Sequence, residues 1–491
     1  MQLNKAYERA RISRDARFDG QFFVGVKTTG IYCRPICPAN SPKSENVSFY
    51  PTAAAASEAG FRPCLRCRPE CAPGTPAWSG TSTTVRRGLR LIANGALDES
   101  NVETLATRLG VTSRHLRRLF TKHLGASPLA VAHTQRLHFA KRLIDQTSLP
   151  MHDIALAAGY GSVRRFNDTF RKTYDRSPRE LRRSGADSAS TDNALTVRLP
   201  YRKPFDWTAL LSFFAARAIP GVESVNGDRY RRTIAIDDAP GVIEVRHDAG
   251  TESVLLILHG IETASLFSIV QRAREIFDLD APVVDIAAVL KRDPMLKVHL
   301  RANPGIRVPG AWDGFELTIR AILGQQISVK AATTLAGRIA SRYGEPIDAA
   351  LVDANRDDAL TVTFPTPERL MRARCNNMGL IGSRAESIRR VSRAVVDGSL
   401  SFDPSQDPAE FCERLTSIRG IGDWTAQYVA MRALKNPDAF PASDLGLLRA
   451  FDDNGRGRVR PAELEENSEG WRPWRAYAAL LLWSSAAGSG G

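Results

Sequence analysis

Residues 415–434 read LTSIRGIGDWTAQYVAMRAL, and this stretch decides the fold of the C-terminal half of the chain. The apolar end of one helix runs into Arg-Gly-Ile-Gly, and a second helical pattern follows at once. Gly420 and Gly422 permit a tight turn whose backbone N–H groups face outward, where they can bind a phosphate, and Ile421 can anchor that turn in a core. The stretch therefore predicts a helical hairpin that contacts a nucleic-acid backbone.

A single aspartate follows this hairpin. Asp444 lies 22 residues beyond Gly422, in AFPASDLGLLRAF, and an isolated aspartate before an apolar run is usually a helix cap. The hairpin followed by an aspartate resembles the helix-hairpin-helix DNA glycosylases, and this resemblance implies that Asp444 is catalytic. A carboxylate beneath the sugar would stabilise the positive charge that develops when an N-glycosidic bond breaks.

Three further stretches make the resemblance more specific. AWDGFELTIRAILGQQISVKAA (311–332), WRPWRAYAALLLW (471–483) and the strand-rich residues 195–280 are similar to the AlkA type, the 3-methyladenine DNA glycosylases. The strands expected in the last stretch are 196–201, 233–238, 242–248 and 253–260, and the turns between the last three predict an antiparallel meander. The resemblance covers about 195–485 and implies excision of alkylated purines of the 3-methyladenine and 7-methylguanine class.

The same resemblance assigns substrate-binding residues. Trp424, Tyr428 and Trp483 match pocket positions, where aromatic faces attract a cationic flipped base, although each is individually more typical of core packing. Gln326 occupies the position that inserts into the DNA stack. Bifunctional relatives have lysine where this chain has Trp424, so we expect no Schiff base and a monofunctional enzyme. Ser484 stands where a tyrosine can occur, which leaves the base preference open.

A repeated helical pattern precedes this half. LATRLGVTSRHLRRLFTKHLGASP (105–128) recurs loosely as IALAAGYGSVRRFNDTFRKTYDRSP (154–178), and each copy predicts two short helices joined by a glycine turn. The pair resembles the AraC-type DNA-binding domain, although Asp175 replaces the usual glycine before the closing Ser-Pro. The string that carries the resemblance is Ala155, Gly159, Tyr160, Ser162, Phe166 and Phe170. The predicted DNA-contacting side chains are Arg114, Arg117, Arg118, Arg164 and Arg165.

Basic charge is concentrated in this repeat. The whole chain has a net charge of +14, and residues 86–183 hold 19 Lys and Arg against 8 Asp and Glu. Such a concentration favours nucleic-acid binding, because each neutralised phosphate releases counterions. A protein partner for two basic helical hairpins is the alternative.

Four cysteines form two close pairs near the N-terminus. Cys33 and Cys37 are spaced C-x3-C, and Cys64 and Cys67 follow as C-x2-C after 26 intervening residues. This spacing suits one tetrahedral zinc ion held by four thiolates. Spacing alone favours a structural zinc over a reactive one.

The residues around the cysteines suggest a reactive role. RDARFDGQFFVGVKTTGIYCRPICP (14–38), ENVSFY (45–50) and GFRPCLRCRPE (60–70) strongly resemble the N-terminal domain of the Ada family, which repairs methyl phosphotriesters in DNA. By this resemblance Cys33 is both zinc ligand and methyl acceptor. Arg34 and its neighbours Arg62, Arg66 and Arg68 are then expected to contact the DNA backbone. No Pro-Cys-His-Arg motif is present, so repair of alkylated base oxygens is not expected.

The composition agrees with several globular domains. The chain has 491 residues, 43% of them hydrophobic, and no apolar run long enough to cross a bilayer, so no membrane partner is expected. Seven cysteines, four of them in metal spacing, indicate a reducing compartment, and the charged N-terminus argues against export; both point to the cytoplasm. Stretches 72–84 and 184–194 are linker-like, rich in Gly, Pro, Ser and Thr.

The fold class predicted is multidomain, mainly α with α+β parts. The four domains predicted are a small α+β zinc domain (1–72), an all-α tandem helix-turn-helix domain (85–183), an α+β antiparallel-sheet domain (195–281) and an all-α helix-hairpin-helix domain (282–485). Together they predict an adaptive-response regulator and alkylbase glycosylase, with double-stranded DNA and RNA polymerase as partners. The alternative is a regulator with a purely structural zinc and a C-terminal half that binds DNA without catalysis.

Overall fold

A computed structural model gives the fold of the chain. It describes residues 2–73, 83–98, 100–182, 194–236, 239–348, 351, 360–374, 378–403, 406–452 and 459–488. Most of both predicted linkers lies outside these ranges. Within them, no helix has the length and apolar character that crossing a bilayer requires.

The cysteine segment, residues 2–73, packs two helices with a four-stranded sheet. The strand order is β3-β1-β2-β4, with β1 antiparallel to β2 and to β3, and β2 parallel to β4. Buried aromatic rings such as Phe22 and Tyr32 fill the space beside the sheet. The elements are α1 (Gln2–Ser13), β1 (Phe23–Val26), β2 (Ile31–Cys33), β3 (Val47–Tyr50), α2 (Ala53–Glu58) and β4 (Arg62–Pro63).

The tandem helical segment, residues 83–182, contains two similar helix pairs joined by one long helix. In each pair a hydroxyl caps the second helix: Thr112 Oγ1 accepts from His115 N at 3.3 Å, and Ser162 Oγ accepts from Arg165 N at 3.2 Å. The elements are α3 (Thr83–Ala93), α4 (Val102–Arg108), α5 (Ser113–Leu124), α6 (Pro128–Gln146), α7 (Met151–Ala157), α8 (Val163–Tyr174) and α9 (Pro178–Leu181).

The predicted departure at Asp175 has a local explanation. Asp175 ends α8 in the left-handed conformation, with φ 54°, as Gly125 ends α5 with φ 70°. Asp is one of the few residues with a side chain that tolerate this region. The second copy therefore keeps the turn of the first copy without its glycine.

A five-stranded sheet follows, with the order β5-β9-β8-β7-β6. Strand β7 is antiparallel to both β6 and β8, and its register with β8 runs from Arg229 opposite Arg246 to Ile236 opposite Ala239. The elements are β5 (Leu195–Pro200), α10 (Trp207–Ala215), β6 (Glu223–Asn226), β7 (Arg229–Ile236), β8 (Ala239–Asp248), β9 (Ser253–His259) and α11 (Leu266–Ile276).

The strands predicted from the sequence do not account for all of this sheet. They do not include β6, whose four residues ESVN show no apolar alternation, and they begin β7 four residues late. The early part of β7 contains charged side chains that tertiary ion pairs allow to be buried. Arg232, for example, lies 3.5 Å from Glu223 and 2.7 Å from Glu316.

The remaining described chain is helical, as predicted, apart from a bridge between Pro346 and Val362. Its helices share one large apolar core, to which Phe411, Leu447 and Leu481 contribute fully buried side chains. The helices are α12 (Val283–Leu290), α13 (Pro294–Ala302), α14 (Gly314–Leu323), α15 (Val329–Tyr343), α16 (Pro367–Met371), α17 (Gly382–Val396), α18 (Pro408–Thr416), α19 (Asp423–Arg432), α20 (Leu445–Asp452), α21 (Pro461–Asn467) and α22 (Arg475–Gly488).

The chain forms two compact units. Unit 1 contains residues 1–202, 248–257 and 261–272, and unit 2 contains 203–247, 258–260 and 273–491. The multidomain α and α+β fold class is thereby confirmed, while the four domain boundaries stay a prediction.

Unit 1 includes residues beyond the second predicted linker. Arg202 Nη1 donates to the Asp19 carbonyl at 3.1 Å, and Arg198 N donates to Gln146 Oε1 at 3.0 Å. The rings of Phe139 and Phe267 also pack, with centroids 4.8 Å apart. Both N-terminal segments therefore contact residues that follow the linker.

Candidate functional sites

The four predicted zinc ligands meet at one point in the cysteine segment. Cys33 ends β2, Cys37 follows in a turn, and Cys64 and Cys67 follow β4. Their sulfur atoms all lie within 4.8 Å of one another, a separation that suits one tetrahedral ion. The Arg34 backbone N–H donates to Cys67 Sγ at 3.3 Å, which favours the thiolate form that a zinc ligand needs. The donor set and its geometry thus fit zinc.

Accessibility separates the two cysteine pairs. Cys64 and Cys67 are buried, at 8% and 7% exposed, whereas Cys33 and Cys37 are partly exposed. A methyl group arriving from DNA would therefore reach the first pair more readily. Exposure does not distinguish Cys33 from Cys37, so the choice of Cys33 still rests on the Ada resemblance. Cys71 lies outside the quartet, and burial raises the pKa of its thiol.

The structure directs Arg34 inward. Its guanidinium pairs with Asp19 and donates to the Cys67 carbonyl at 3.2 Å, which leaves the side chain only 14% exposed. This arrangement braces the loop between two ligands and leaves little of the guanidinium for DNA. Arg66, by contrast, is exposed. A contact from Arg34 to the DNA backbone stays a prediction.

The cysteine segment contacts helix α6 through residues adjacent to its ligands. Tyr32, which precedes Cys33, has its hydroxyl 2.9 Å from His138 Nε2. Burial lowers the pKa of His138 to about 3, so this imidazole is neutral at physiological pH. Arg68, which follows Cys67, donates to Asp145 Oδ2 at 2.5 Å. Helix α6 thus has polar contacts with the residue before the first ligand and with the residue after the last ligand.

Asp145 is the centre of a buried charge cluster. Its side chain is 1% exposed and also accepts from Lys141 Nζ at 2.5 Å, while Lys141, 4% exposed, lies 3.9 Å from Glu70. Sequence inspection missed these residues, since they have no motif and are brought together only by the tertiary fold.

We expect Asp145→Asn to destabilise unit 1 by about 3 kcal/mol, because Lys141 and Arg68 lose the nearer of two buried carboxylates and keep only Glu70, at 3.9 and 3.3 Å. The measurement is the urea midpoint of unfolding of the full chain, with zinc release as the signal for unit 1. Asp168→Asn is the matched control, since Asp168 is 64% exposed and 3.9 Å from its arginine partner. Equal midpoints for the two variants would contradict the expectation.

The predicted DNA-contacting arginines lie on the exposed faces of α5 and α8. Neither helix buries them, since the buried side chains are apolar, such as Leu116 on α5 and Phe166 on α8. Two similar helices therefore each present a basic face. The exposed arginines are Arg114, Arg117, Arg118, Arg164 and Arg165.

The hairpin predicted at 415–434 forms between α18 and α19. Gly420 has φ 98°, a left-handed conformation that side chains rarely adopt, and a Cβ there would collide with Ser387 Oγ. Gly422 caps α19 and is exposed, with open space around its Cα. The turn therefore presents backbone to solvent, as a phosphate contact requires.

Gln326 stands beside this hairpin on the loop between α14 and α15. It is exposed and has φ 59°, an unusual conformation for glutamine. Its neighbour Gln325 donates from Nε2 to the Gly420 carbonyl at 3.2 Å, and Arg384 donates to the Gln325 carbonyl. The loop is thus tied to the hairpin, with the Gln326 side chain exposed.

A cleft of about 1140 Å³ contains the remaining predicted site residues of unit 2. Asp444, Trp424, Tyr428 and Trp483 all line it, with Gln326 at one side. Trp424 stacks on Tyr428 with ring centroids 5.1 Å apart and planes at 10°. The cleft therefore combines one carboxylate with several aromatic rings, which suits a flipped base.

The Asp444 carboxylate is held by three donors. Trp424 Nε1 donates to Oδ2 at 2.7 Å, and Trp483 Nε1 donates to Oδ1 at 2.8 Å. The Leu447 backbone N–H at the start of α20 donates to Oδ1 at 3.0 Å. Asp444 thus has both the helix-capping role typical of an isolated aspartate and a place in the cleft.

Three arginines lie near the Tyr428 side chain. The Tyr428 hydroxyl accepts from Arg432, whose guanidinium also donates to the Pro309 carbonyl at 2.8 Å. Burial acts to raise the pKa of Tyr428, but the charges of Arg432, Arg217 and Arg320 outweigh it and lower the pKa.

Helix α10 and the turn that follows it each add one side chain to the cleft that sequence inspection did not identify. These are Phe213 and Arg217, whose guanidinium carbon lies 3.9 Å from the Phe213 ring centroid. Their stretch shows only an apolar helical pattern, which gives no signal of a binding site.

Comparisons with known proteins agree with this geometry, which defines a helix-hairpin-helix base-excision fold preceded by a zinc segment and paired helix-turn-helix elements. Four family models match the chain, described as the metal binding domain of Ada (6–70), a helix-turn-helix domain (105–184), the AlkA N-terminal domain (196–313) and the HhH-GPD superfamily base excision DNA repair protein (319–476).

Relatives cover one or both parts of the chain. A probable bifunctional transcriptional activator/DNA repair enzyme AlkA of Mycobacterium tuberculosis is 42% identical over 97% of this chain and 95% of its own. DNA-3-methyladenine glycosylase 2 of Escherichia coli is 32% identical over 58% of this chain and 95% of its own. The chain belongs to the family of bifunctional transcriptional activator/DNA repair enzymes that join Ada-type and AlkA-type segments.

A solved structure agrees with the fold of the C-terminal part. The 3-methyladenine DNA glycosylase from Archaeoglobus fulgidus superposes with a TM-score of 0.52 at 23% identity, over 60% of this chain and 98% of its own. The three resemblances stated from the sequence are confirmed at the level of the family, and so is the zinc site. The roles of individual residues stay predictions.

Proposed function

We propose that this chain repairs alkylated DNA and regulates transcription in response to the damage, with separate chemistry in its two units. In unit 2 it excises alkylated purines of the 3-methyladenine and 7-methylguanine class. In unit 1 it accepts a methyl group from DNA methyl phosphotriesters and binds promoter DNA through the paired helix-turn-helix elements. The observation that carries the proposal is Asp444, a carboxylate held at the wall of an aromatic cleft in a family of DNA repair enzymes.

Base release in this cleft needs a cation-stabilising group and a way to hold the base. As the N-glycosidic bond breaks, its electron pair leaves with the base, and the sugar becomes oxocarbenium-like. The Asp444 carboxylate stabilises that positive charge, and water then adds to C1′ and loses a proton. Because Trp424 and Tyr428 stack on each other, the pair offers the base one outer ring face, and the Trp483 ring adds a further aromatic wall. Gln326 fills the space that the flipped base leaves in the duplex.

The second activity is a methyl transfer to Cys33. Its sulfur attacks the methyl carbon of the phosphotriester, the C–O bond breaks, and the electron pair stays on the phosphate as an ordinary phosphodiester. Zinc bound by Cys33, Cys37, Cys64 and Cys67 keeps the sulfurs deprotonated at neutral pH. The thioether product does not return the methyl, so each chain reacts once.

Regulation follows from the same reaction. Conversion of one thiolate to a thioether removes a negative charge beside the DNA, so the methylated chain binds promoter DNA more tightly. We further propose that the promoter-bound chain contacts RNA polymerase and acts in the cytoplasm. Seven cysteines, four of them in metal spacing, support the latter, because such usage is typical of a reducing compartment.

The full-length chain is expected to release 7-methylguanine and 3-methyladenine from duplex DNA and leave abasic sites. Strand breaks should appear only after alkaline treatment, because no lysine takes the place of Trp424 to form a Schiff base. The measurement is single-turnover base release, with gel analysis before and after alkali.

Borohydride trapping is the control for the monofunctional assignment. Reduction should yield no covalent complex with DNA. Retention of both bases would remove the glycosylase part of the proposal and leave a DNA-binding regulator. A trapped complex would instead show a bifunctional enzyme.

A further inference from the structure

The Asp444 carboxylate receives an indole N–H on each oxygen. The donors come from different helices, Trp424 from α19 and Trp483 from α22, at 2.7 and 2.8 Å. The backbone of Leu447 supplies the third donor. Two tryptophans that are 59 residues apart in the sequence therefore both donate to one side chain.

We propose that Trp424 and Trp483 are positioning residues that hold the Asp444 carboxylate in its reactive orientation through their indole N–H groups. This role is separate from any stacking of their rings on a base. It rests on the proposed function, since it concerns the orientation of the catalytic carboxylate.

The geometry explains why two such donors are useful. A carboxylate capped only by a helix terminus can still rotate about its last torsion, which is broad for Asp. A donor on each oxygen fixes the plane of the group before the sugar becomes positive. Fixed charges stabilise a transition state without reorganising at the moment of reaction, which is why preorganisation increases the rate.

The surroundings of the carboxylate leave room for this arrangement. At Gly446 a Cβ would lie 3.0 Å from Asp444 Oδ1 and 3.3 Å from Trp483 Cδ1, so a larger residue would press on this hydrogen bond. Trp424 has one face covered by Tyr428, at 5.1 Å. Its N–H edge, directed at Asp444, is thus fixed by the stacking.

The test replaces the N–H groups and keeps the rings. Trp424 and Trp483 are each substituted by 3-benzothienylalanine, in which sulfur replaces the indole N–H, in the full-length chain. We expect the single-turnover rate of 7-methylguanine release to fall roughly ten- to hundredfold for each, since these hydrogen bonds are to a charged group. Affinity for DNA carrying an abasic-site analogue should change less than about twofold, a split that simple loss of structure would not give.

Trp471 provides the matched control. Its Nε1 donates to Asp293 Oδ2 at 2.8 Å, a bond of the same kind in the same unit, and it does not line the cleft. The same substitution at Trp471 should leave the rate of base release unchanged. A similar rate loss there would overturn the proposal, because it would show a general effect of losing a buried indole bond.

A second measurement is independent of activity. In chain labelled with ¹⁵N at the indoles, Asp444→Asn should shift the N–H signals of Trp424 and Trp483 and leave that of Trp471 in place. Absence of the shifts would overturn the proposal.

The outcomes separate this proposal from the proposed function. Full activity in both benzothienylalanine variants, with Asp444→Asn inactive, would overturn the positioning role and leave the glycosylase assignment intact. Full activity in Asp444→Asn would overturn both.

Discussion

Asp444→Asn is expected to lower the single-turnover rate of 7-methylguanine release at least about a hundredfold, because a neutral amide cannot balance the positive charge on the sugar. The fold should survive, since Asn is as good a helix cap as Asp and its amide oxygen can still accept from the Leu447 N–H. Affinity for DNA with an abasic-site analogue should stay close to that of the unaltered chain. Base release and DNA binding are measured on the same preparation.

Asp423→Asn is the control for this change. Asp423 is an exposed carboxylate at the start of α19 that accepts from Gln427 Nε2 at 3.4 Å and does not line the cleft. Its replacement removes the same charge from beside the hairpin predicted to bind DNA and should leave the rate of release unchanged. If both variants release the base as fast as the unaltered chain, Asp444 is not the catalytic carboxylate.

Cys33→Ser is expected to abolish methyl uptake from DNA containing methyl phosphotriesters. The unaltered chain should gain one methyl, and fragmentation of the peptide that holds Cys33 and Cys37 should locate it on Cys33. Cys71→Ser is the matched control and should keep full uptake, because Cys71 lies outside the quartet and burial raises the pKa of its thiol. A methyl on Cys37 or Cys71 would contradict the assignment, and no methyl at all would indicate a structural zinc.

Promoter affinity gives the second readout of this reaction. Removing a unit charge some 4 Å from a phosphate is worth about 1 kcal/mol in water, which corresponds to roughly a fivefold tighter complex. The gain should shrink as salt is added, because the repulsion that it relieves is screened. Cys33→Ser, which takes up no methyl, should show no gain on exposure to the same methylated DNA.

Local rules account for the parts of the fold that sequence could predict. The turn at Gly420 requires a residue that adopts a left-handed conformation, and glycine in the sequence indicates it. The spacing of the four cysteines likewise indicates a site for one metal ion. Asp175 also follows such a rule, since it takes the conformation of the glycine that it replaces.

Features that depend on distant residues could not be predicted in this way. The ion pair of Arg34 with Asp19, which turns the guanidinium inward, has no signal in the sequence around either residue. Trp424 and Trp483 were expected to offer ring faces to a base, and nothing in their local sequence shows that both N–H groups meet at Asp444. Such contacts depend on how separate helices pack.

The set of residues that forms unit 1 has a practical consequence for the design of truncated forms of this protein. The stretch predicted as a linker, 184–194, would be chosen as a truncation point from the sequence, yet Arg202 and Arg198 lie beyond it and bond to Asp19 and Gln146. A clone that stops at the linker would lose these contacts and the ring that packs on Phe139. The regulatory unit of this protein therefore does not end at the predicted linker. A chimera that exchanges this unit between relatives has to include residues from both sides of that stretch.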